Sequence, residues 1–192
     1  MAEQFAPEPV TSTVDVLAEL VGEGGLWNSE SGRGGSRCRW PRAEFRCTAS
    51  NSPPPWPPGC GRNRGGAEIG VTIGDFATTR VGGDFTLAYL VFNTIMNLTT
   101  QDAQVASFRT VAEQLAPGGC FVVCHYLDIA GGTHRSIPFR YVWPAELDLM
   151  ARLAGLELRH RWADWERRPF TAESGQHVSV WAKAGSGQGP GR

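Results

Sequence analysis

The chain has 192 residues, a length that suits one domain of ordinary size and excludes two full catalytic domains. A net charge of -1 and a charged fraction of 19% exclude a basic nucleic-acid binder and a fully disordered chain. The longest apolar runs, such as residues 87–92, fall far short of the ~20 residues that cross a bilayer. The first residues lack the regions of a signal peptide. We therefore predict a soluble, cytoplasmic domain.

The cysteines have no paired spacing that would indicate a disulfide framework or a zinc site. We predict free thiols and no bound metal. Two of them, Cys120 and Cys124, are predicted to lie on one face of a strand as small buried apolar residues. The five positions are Cys38, Cys47, Cys60, Cys120 and Cys124.

Residues 1–23 contain one predicted helix. Ser12 or Thr13 provides an N-cap for it. Its predicted apolar face is formed by Val14, Leu17, Ala18 and Val21.

Residues 24–66 differ from the rest of the chain in composition. They are rich in Gly, Pro, Ser and Arg and show the period of neither a strand nor a helix. We predict an irregular or disordered segment there. The functional alternatives are an Arg-rich nucleic-acid segment and a proline-rich ligand at residues 53–58, and composition favours the plain linker.

Residues 67–184 alternate apolar strands with amphipathic helices, which predicts an α/β domain. One helix is capped by Thr100 or Asp102 and ends before Pro117, and a second begins at Pro144 and ends at Gly155. Residues 185–192 are predicted to be a disordered tail. The predicted strands are 68–73, 85–92, 120–123, 156–162 and 177–182, and residues 126–129 and 136–141 are predicted to form a hairpin.

Three segments of this domain resemble the class I S-adenosylmethionine-dependent methyltransferases, in particular the bacterial small-molecule group. They are VTIGDFATTRV, FTLAYLVFNTIMNLTTQDAQVASFRTVAEQLAPGGCFVV and FRYVWPAELDLMARLAGLEL. The resemblance covers residues 67–184, and the LAPGG turn is its most specific part. It implies a Rossmann-like sheet, mostly parallel, with an antiparallel strand pair at the C-terminus. It also implies methyl transfer from S-adenosylmethionine to a small-molecule acceptor.

The family's glycine-rich ExGxGxG turn and its ribose-binding carboxylate are missing from their expected places. Reading the codons of residues 26–64 one nucleotide earlier restores both. The single Trp27 codon forces Glu in place of Asn28, and residues 28–35 become compatible with E-L-G-[VI]-G-T-G-R. An acid also falls at the position of Asn51. We hypothesise compensating frame errors in the gene, a sheet incomplete at its first two strands, and weak or absent binding of S-adenosylmethionine.

Two pairs of residues are candidates for the cofactor site. Asp75 and Phe76 follow a strand where, by resemblance, the family contacts adenine, and the alternative for Asp75 is an ordinary turn residue. Asn93 and Thr94 follow the apolar strand 85–92, at the edge where open α/β sheets bind ligands, and we predict that they contact the methionine or the substrate.

No catalytic base is identified by the sequence. His125 and His134 flank the predicted hairpin, but a lone histidine is more often inert, and neither has a partner in the sequence. Two alternative functions remain, namely another Rossmann-like enzyme such as a nicotinamide oxidoreductase, and a non-catalytic remnant or binding module with an Arg-rich flexible segment. The LAPGG turn and the terminal strand pair favour a methyltransferase. We expect no membrane partner and no nucleic-acid partner.

Overall fold

The computed structural model describes residues 7–22, 25–30, 45–49, 70–83, 85–91, 93–127 and 138–185. Helix α1 (Pro7–Val21) precedes strands β1 (Gly25–Glu30), β2 (Phe45–Ala49), β3 (Gly70–Ile73) and β4 (Phe85–Leu90). A short 3₁₀ helix (Thr94–Asn97), α2 (Gln101–Gln114) and β5 (Leu115–Tyr126) follow. The domain ends with α3 (Pro144–Leu153), β6 (Leu156–Trp162) and β7 (Gln176–Lys183).

The strands form one sheet in the order β3-β2-β1-β4-β5-β7-β6. Neighbours from β3 to β5 are parallel, and β7 is antiparallel to both β5 and β6. This arrangement confirms the predicted Rossmann-like sheet with its antiparallel C-terminal pair. The inserted antiparallel β7 distinguishes it from the all-parallel order of dinucleotide-binding domains.

The expectation that the sheet lacks its first two strands is wrong. β1 lies between β2 and β4, and Asn28 is the ladder partner of both Cys47 and Tyr89. Ladder hydrogen bonds join main-chain groups, so a segment without an alternating apolar pattern can still pair when its neighbours and connections suit it. The predicted irregular window therefore contains two strands. Its residues 31–44 and 50–66, and the predicted tail from 186 onward, lie outside the described residues.

Two apolar cores cover the two faces of the sheet. On the face under α2 and α3, the ring of Phe108 meets Phe121 and Trp181 edge-on, at centroid distances of 5.0 and 5.6 Å. On the other face, Leu17 of α1 belongs to a cluster that includes Cys120 and Val122. Cys120 and Cys124 are both buried in this cluster, as predicted. None of the described helices is long and apolar enough to span a membrane.

The helix ends follow their sequence signals in α2 and α3. Thr100 caps α2, where its Oγ1 accepts a hydrogen bond from the backbone N–H of Ala103 at 3.2 Å. α3 begins at Pro144, and Gly155 follows its end with a φ of +74°. The sequence predicts an apolar side formed by Leu147, Leu149, Met150 and Leu153, and this is wrong for Leu149 and Leu153, which are exposed. One face of α3 meets the sheet, and Leu147, Met150 and Ala151 already fill it.

α1 is longer than predicted, since it begins at Pro7 and passes through the expected caps Ser12 and Thr13. Leu17 and Val21 are buried, as predicted for its apolar face, but Ala18 is exposed. The added turns shift the helix start, while the packed end of the helix stays where the apolar spacing placed it.

The LAPGG turn forms an irregular start to β5. The register of β4 against β5 shifts between Phe85 and Leu87, and Gly118 has a φ of +81°. A Cβ on Gly119 would lie 2.9 Å from the carbonyl oxygen of Ala116 and 3.2 Å from that of Phe85. Both positions therefore require glycine, for conformation at the first and for space at the second.

The part of the predicted hairpin that the structure describes after residue 137 is not a strand. Residues 138–143 are not in a strand, and residues 128–137 lie outside the described part of the chain. β5 already pairs with β4 on one edge and β7 on the other, so it has no free edge for a further strand.

Candidate active site

The candidate site lies where the sheet order reverses. β1 and β4 are neighbours, with β2 and β3 on one side of the pair and β5 on the other. In open α/β sheets, ligands bind in the crevice outside the carboxyl ends of the strands at such a reversal. The residues that follow β3, β4 and β5 therefore surround the candidate site.

Asp75 and Phe76 follow β3 and have different environments. Oδ1 of Asp75 accepts a hydrogen bond from the N–H of Ala77 at 2.9 Å, which closes an Asx turn. The ring of Phe76 is 1% exposed and belongs to the core under α2, so it offers no free face at the surface. A contact of Asp75 with the cofactor stays a prediction.

Asn93 joins the ends of two strands. Its φ of 61° is in the left-handed region, which is uncommon for a residue other than glycine. Its Oδ1 accepts a hydrogen bond from the N–H of Tyr126 at 2.7 Å, which fixes the end of β5 beside the end of β4. Strained backbone at a strand end favours a functional role.

Thr94 is buried and its hydroxyl bonds within the chain. Oγ1 donates to the carbonyl oxygen of Val91 at 2.6 Å. The structure therefore brings Asn93 and Thr94 to the predicted edge but uses the threonine hydroxyl internally. Contacts of either residue with a ligand stay predictions.

A polar brace attaches residues 138–143 to this edge. The buried side chain of Gln104, on α2, donates from Nε2 to the carbonyl oxygens of Ile95 and Arg140, both at 3.2 Å. The guanidinium of Arg140 bonds to Oε1 of Gln104 and forms an ion pair with Glu146. The N–H of Arg140 donates to the carbonyl oxygen of Met96 at 3.0 Å. The 3₁₀ helix after β4 and the segment before α3 are thus held together.

The braced segment presents a row of aromatic side chains. Phe139 and Trp143 are exposed, Trp143 at 64%, and Tyr141 between them meets Trp143 edge-on at 5.0 Å. Val142 points the other way, into the core. Tyr126, at the end of β5, is also partly exposed. We call Tyr126, Phe139, Tyr141 and Trp143 the aromatic row.

Two histidines lie beneath the aromatic row. His125 of β5 and His177 of β7 are ladder partners, each 0% exposed, and their rings stack at 5.6 Å with an interplanar angle of 23°. Tyr141 meets His125 edge-on at 5.3 Å. Burial lowers the pKa of His125 to about 4 and, with the charges of His125 and Arg161, that of His177 to about 3. Both imidazoles are neutral near pH 7. His134 lies outside the described residues.

A chain of hydrogen bonds reaches His177. Nε of Arg161 donates to Oγ of Ser179 at 2.8 Å, and Oγ of Ser179 is hydrogen-bonded to Nδ1 of His177, 2.9 Å away. Asp148 holds the guanidinium of Arg161 with both oxygens, at 2.7 and 3.1 Å, and also accepts from Nε1 of Trp181 at 3.0 Å.

Gln104, His177 and Ser179 are site residues that were not predicted, although each carries a signal in the sequence. Gln104 lies four residues before Phe108, on the buried face of α2, and a polar residue on an apolar face needs partners. His177 and Ser179 share one face of a strand whose other face is valine. Because that strand lies inside the sheet, both faces are buried.

Comparison with known proteins supports the fold assignment. The CcbJ methyltransferase from Streptomyces caelestis is similar with a TM-score of 0.75 and 27% identity, over 94% of this chain and 98% of that chain. A TehB-like SAM-dependent methyltransferase from Corynebacterium glutamicum has a TM-score of 0.67 and 18% identity, over 95% and 91% of the two chains.

CalS10, an amino pentose methyltransferase from Micromonospora echinaspora, has a TM-score of 0.62 and 14% identity, over 92% of this chain and 91% of its own. No protein-family model and no curated protein matches. The chain has the fold of the class I S-adenosylmethionine-dependent methyltransferases.

Proposed function

We propose that this protein transfers a methyl group from S-adenosylmethionine to a small molecule. The observation that carries the proposal is the sheet with its antiparallel β7, in a fold that is similar over more than nine-tenths of the chain to the methyltransferases described above. The same sheet argues against a nicotinamide oxidoreductase.

The residues at the strand ends suit this cofactor. A carboxylate at Asp75 accepts hydrogen bonds from an adenine amino group or a hydroxyl, and the Asn93 amide can bond the methionine end. The cofactor supplies a methyl group already activated on a sulfonium. The protein's part is to hold the acceptor in line with that methyl and to exclude water.

The stretch that follows β1 has two interpretations, which predict different affinities. As spelled, β1 ends at Glu30 and the sequence continues Ser31-Gly32-Arg33-Gly34-Gly35, which itself contains an E-x-G-x-G pattern. In the shifted frame, the acid stands at position 28 and the glycines at 30, 32 and 34. We propose the frame error, because it also supplies the second acid near residue 51. From this frame error we expect that the chain with its unmodified sequence binds S-adenosylmethionine weakly.

Isothermal titration with S-adenosylmethionine tests both parts of this proposal. The chain as spelled is compared with a variant in which residues 28–35 carry the shifted text, and we expect the variant to bind at least tenfold more tightly. Micromolar binding by the chain as spelled would refute the frame error. Absence of binding by both would refute the methyltransferase function. The variant carries Asn28→Glu, Ser29→Leu, Glu30→Gly, Ser31→Val, Arg33→Thr and Gly35→Arg.

The control for that titration is Gly34→Val, because Gly34 is glycine in both interpretations. A side chain there blocks the close approach of backbone to cofactor that a glycine-rich turn permits. We expect the substitution to abolish the gain in the shifted-text variant. Sequencing the gene gives an independent answer, because the codons of residues 26–64 either contain the shifted text or do not.

A further inference from the structure

Three ring nitrogens at the candidate site are buried without a partner among the described residues. They are Nδ1 and Nε2 of His125 and Nε2 of His177. A buried polar atom without a hydrogen bond is costly, and native structures resolve it with a protein group, a water or a ligand. The two rings lie where β5 ends and β7 begins, on the edge that also carries Asn93. Their position indicates a ligand subsite.

The charged groups around the histidines are already paired. Arg161 faces Asp148, and Arg140 faces Glu146, both at half-buried positions. The other described neighbours of the rings are aromatic, namely Tyr141 beside His125 and Phe170 beside His177. A carboxylate or phosphate would therefore find no unpaired cation among these described groups. The subsite suits a group that is neutral when bound.

We propose that His125 and His177 bind the nucleophilic nitrogen of an amine acceptor, while the aromatic row holds its carbon skeleton. This inference rests on the proposed function and names its acceptor class. Nε2 of His177 has no hydrogen-bond partner among the described residues, and the neutral ring of His125 offers one donor and one acceptor. The unprotonated ring nitrogen of His125 accepts a hydrogen bond from an N–H of the amine. The lone pair of the amine nitrogen then stays free to point at the methyl group.

An amine fits this site better than an alcohol because of the proton. An alcohol must give up its proton as it attacks, and burial makes both imidazoles poor bases. A neutral amine attacks with its lone pair: the N–C bond forms, and the C–S bond breaks with its electron pair remaining on sulfur. The methylated ammonium then loses its proton to water, and the histidines keep theirs.

The aromatic row has a part in bringing the amine to this site. At neutral pH an amine arrives as an ammonium ion, which is attracted to the faces of exposed aromatic rings such as Trp143. Deeper in the site, burial disfavours charge, so the ammonium loses a proton to water before it reaches His125. The exposed rings attract the ammonium ion, and the buried site admits only its neutral form. Together these two effects favour amines.

Three probes with one skeleton test this inference, namely benzylamine, benzyl alcohol and benzoate. The signals of carbon-13-labelled histidine rings are followed by NMR during titration of the protein. We expect benzylamine to shift the His125 and His177 signals and to bind at least tenfold more tightly than benzyl alcohol or benzoate. Equal binding of the three probes, or shifts confined to other histidines, would overturn the inference.

Variants locate the binding. His125→Gln and Tyr141→Leu are each expected to weaken benzylamine binding at least tenfold, and the control His160→Gln, on the exposed face of β6, is expected to leave it unchanged. Near-ultraviolet circular dichroism identifies any variant that fails to fold. Unchanged binding by a folded His125→Gln protein would overturn the inference.

A parallel assay separates this inference from the proposed function. Transfer of labelled methyl from S-adenosylmethionine to benzylamine is measured with the shifted-text variant and with the same variant carrying His125→Gln. A tenfold lower rate in the latter supports the inference. Equal rates contradict the inference and leave the proposed function standing. Absence of S-adenosylmethionine binding contradicts the proposed function, while histidine-dependent binding of benzylamine still supports the amine site.

Discussion

The two halves of the sheet differ in the direction of their strands. Strands β1, β2 and β3 are joined in parallel register, and β1 also pairs in parallel with β4. In the second half, β7 is antiparallel to both β5 and β6, and strands β4 to β7 carry packed aromatic rings, the Gln104 brace and the hydrogen-bond chain from Asp148 to His177. Side chains from several elements therefore fix the candidate site in this second half.

The difference also concerns function. The crevice between β1 and β4 divides the proposed cofactor side from the proposed acceptor side. On the acceptor side, Asn93 ties β4 to β5 and Gln104 ties the following 3₁₀ helix to the aromatic row. Rigid support of this kind is what an acceptor site needs if the acceptor is to meet the methyl group in line.

The largest expected effect is the loss of a buried ring from the second half of the sheet. Trp181→Ala removes a ring that contacts Phe108 and Phe121, and it leaves Asp148 without one hydrogen bond. We expect the free energy of unfolding to fall by about 3–5 kcal/mol, measured by urea denaturation. Trp143→Ala is the matched control, since that ring is exposed, and about 0.5 kcal/mol is expected. Equal costs would contradict the assigned core.

The second-largest loss of stability is expected from a substitution in β1, in the first half of the sheet. Asn28→Pro removes an N–H from the central strand β1 and places a rigid ring between β2 and β4. We expect a loss of about 3 kcal/mol or more, measured in the same way. Asn28→Ala keeps the main chain intact and is expected to cost much less. A proline variant as stable as the alanine variant would show that β1 does not lie inside the sheet.

The sequence predicted the second half well because its signals are local. The bounds of β6 were predicted as found, those of β7 within one residue, and the caps at Thr100 and Pro144 are where expected. Each rests on an apolar period or a single capping group, and such signals are read from a few neighbouring residues.

What the sequence did not reveal depends on distant residues. β1 carries no period, and its place is set by β2 and β4 on either side. His125 appeared to be a lone histidine, since its partner His177 is 52 positions later in the chain. Burial of Phe76 depends likewise on α2 packing over β4. Local pattern cannot supply such long-range contacts.

A smaller loss of stability is expected when the pH is lowered, and it arises from two histidines in the second half of the sheet. The folded protein keeps His125 and His177 neutral, with pKa values lowered to about 4 and about 3, whereas in the unfolded chain both titrate near 6.5. The unfolded state therefore takes up protons first as the pH falls. Stability is full well above pH 6.5 and declines as the pH falls from about 6.5 to the folded-state pKa values of about 4 and about 3. Between pH 7.5 and 5.5 we expect a loss of about 3 kcal/mol.

Urea denaturation across this pH range measures that loss. His125→Gln is expected to reduce the slope by about half. Trp143→Ala, which removes an exposed ring without a titratable group, provides the control and is expected to keep the slope. A flat profile for the unmodified protein would mean that the two rings are not held neutral.

The smallest expected change in stability comes from breaking the contact between α1 and the β6–β7 loop. Arg167, in the β6–β7 loop, forms an ion pair with Glu19 of α1, and its guanidinium lies 5.2 Å from the ring centroid of Trp162. Both charged side chains are substantially exposed, so solvent screens the pair. A double-mutant cycle of Arg167→Ala and Glu19→Ala is expected to give a coupling of about 0.2–1 kcal/mol that disappears in 1 M salt. The cycle of Arg80 and Glu113, a still more exposed pair, serves as its reference. A salt-independent coupling above this range would show that α1 is fixed to the loop by more than surface charge.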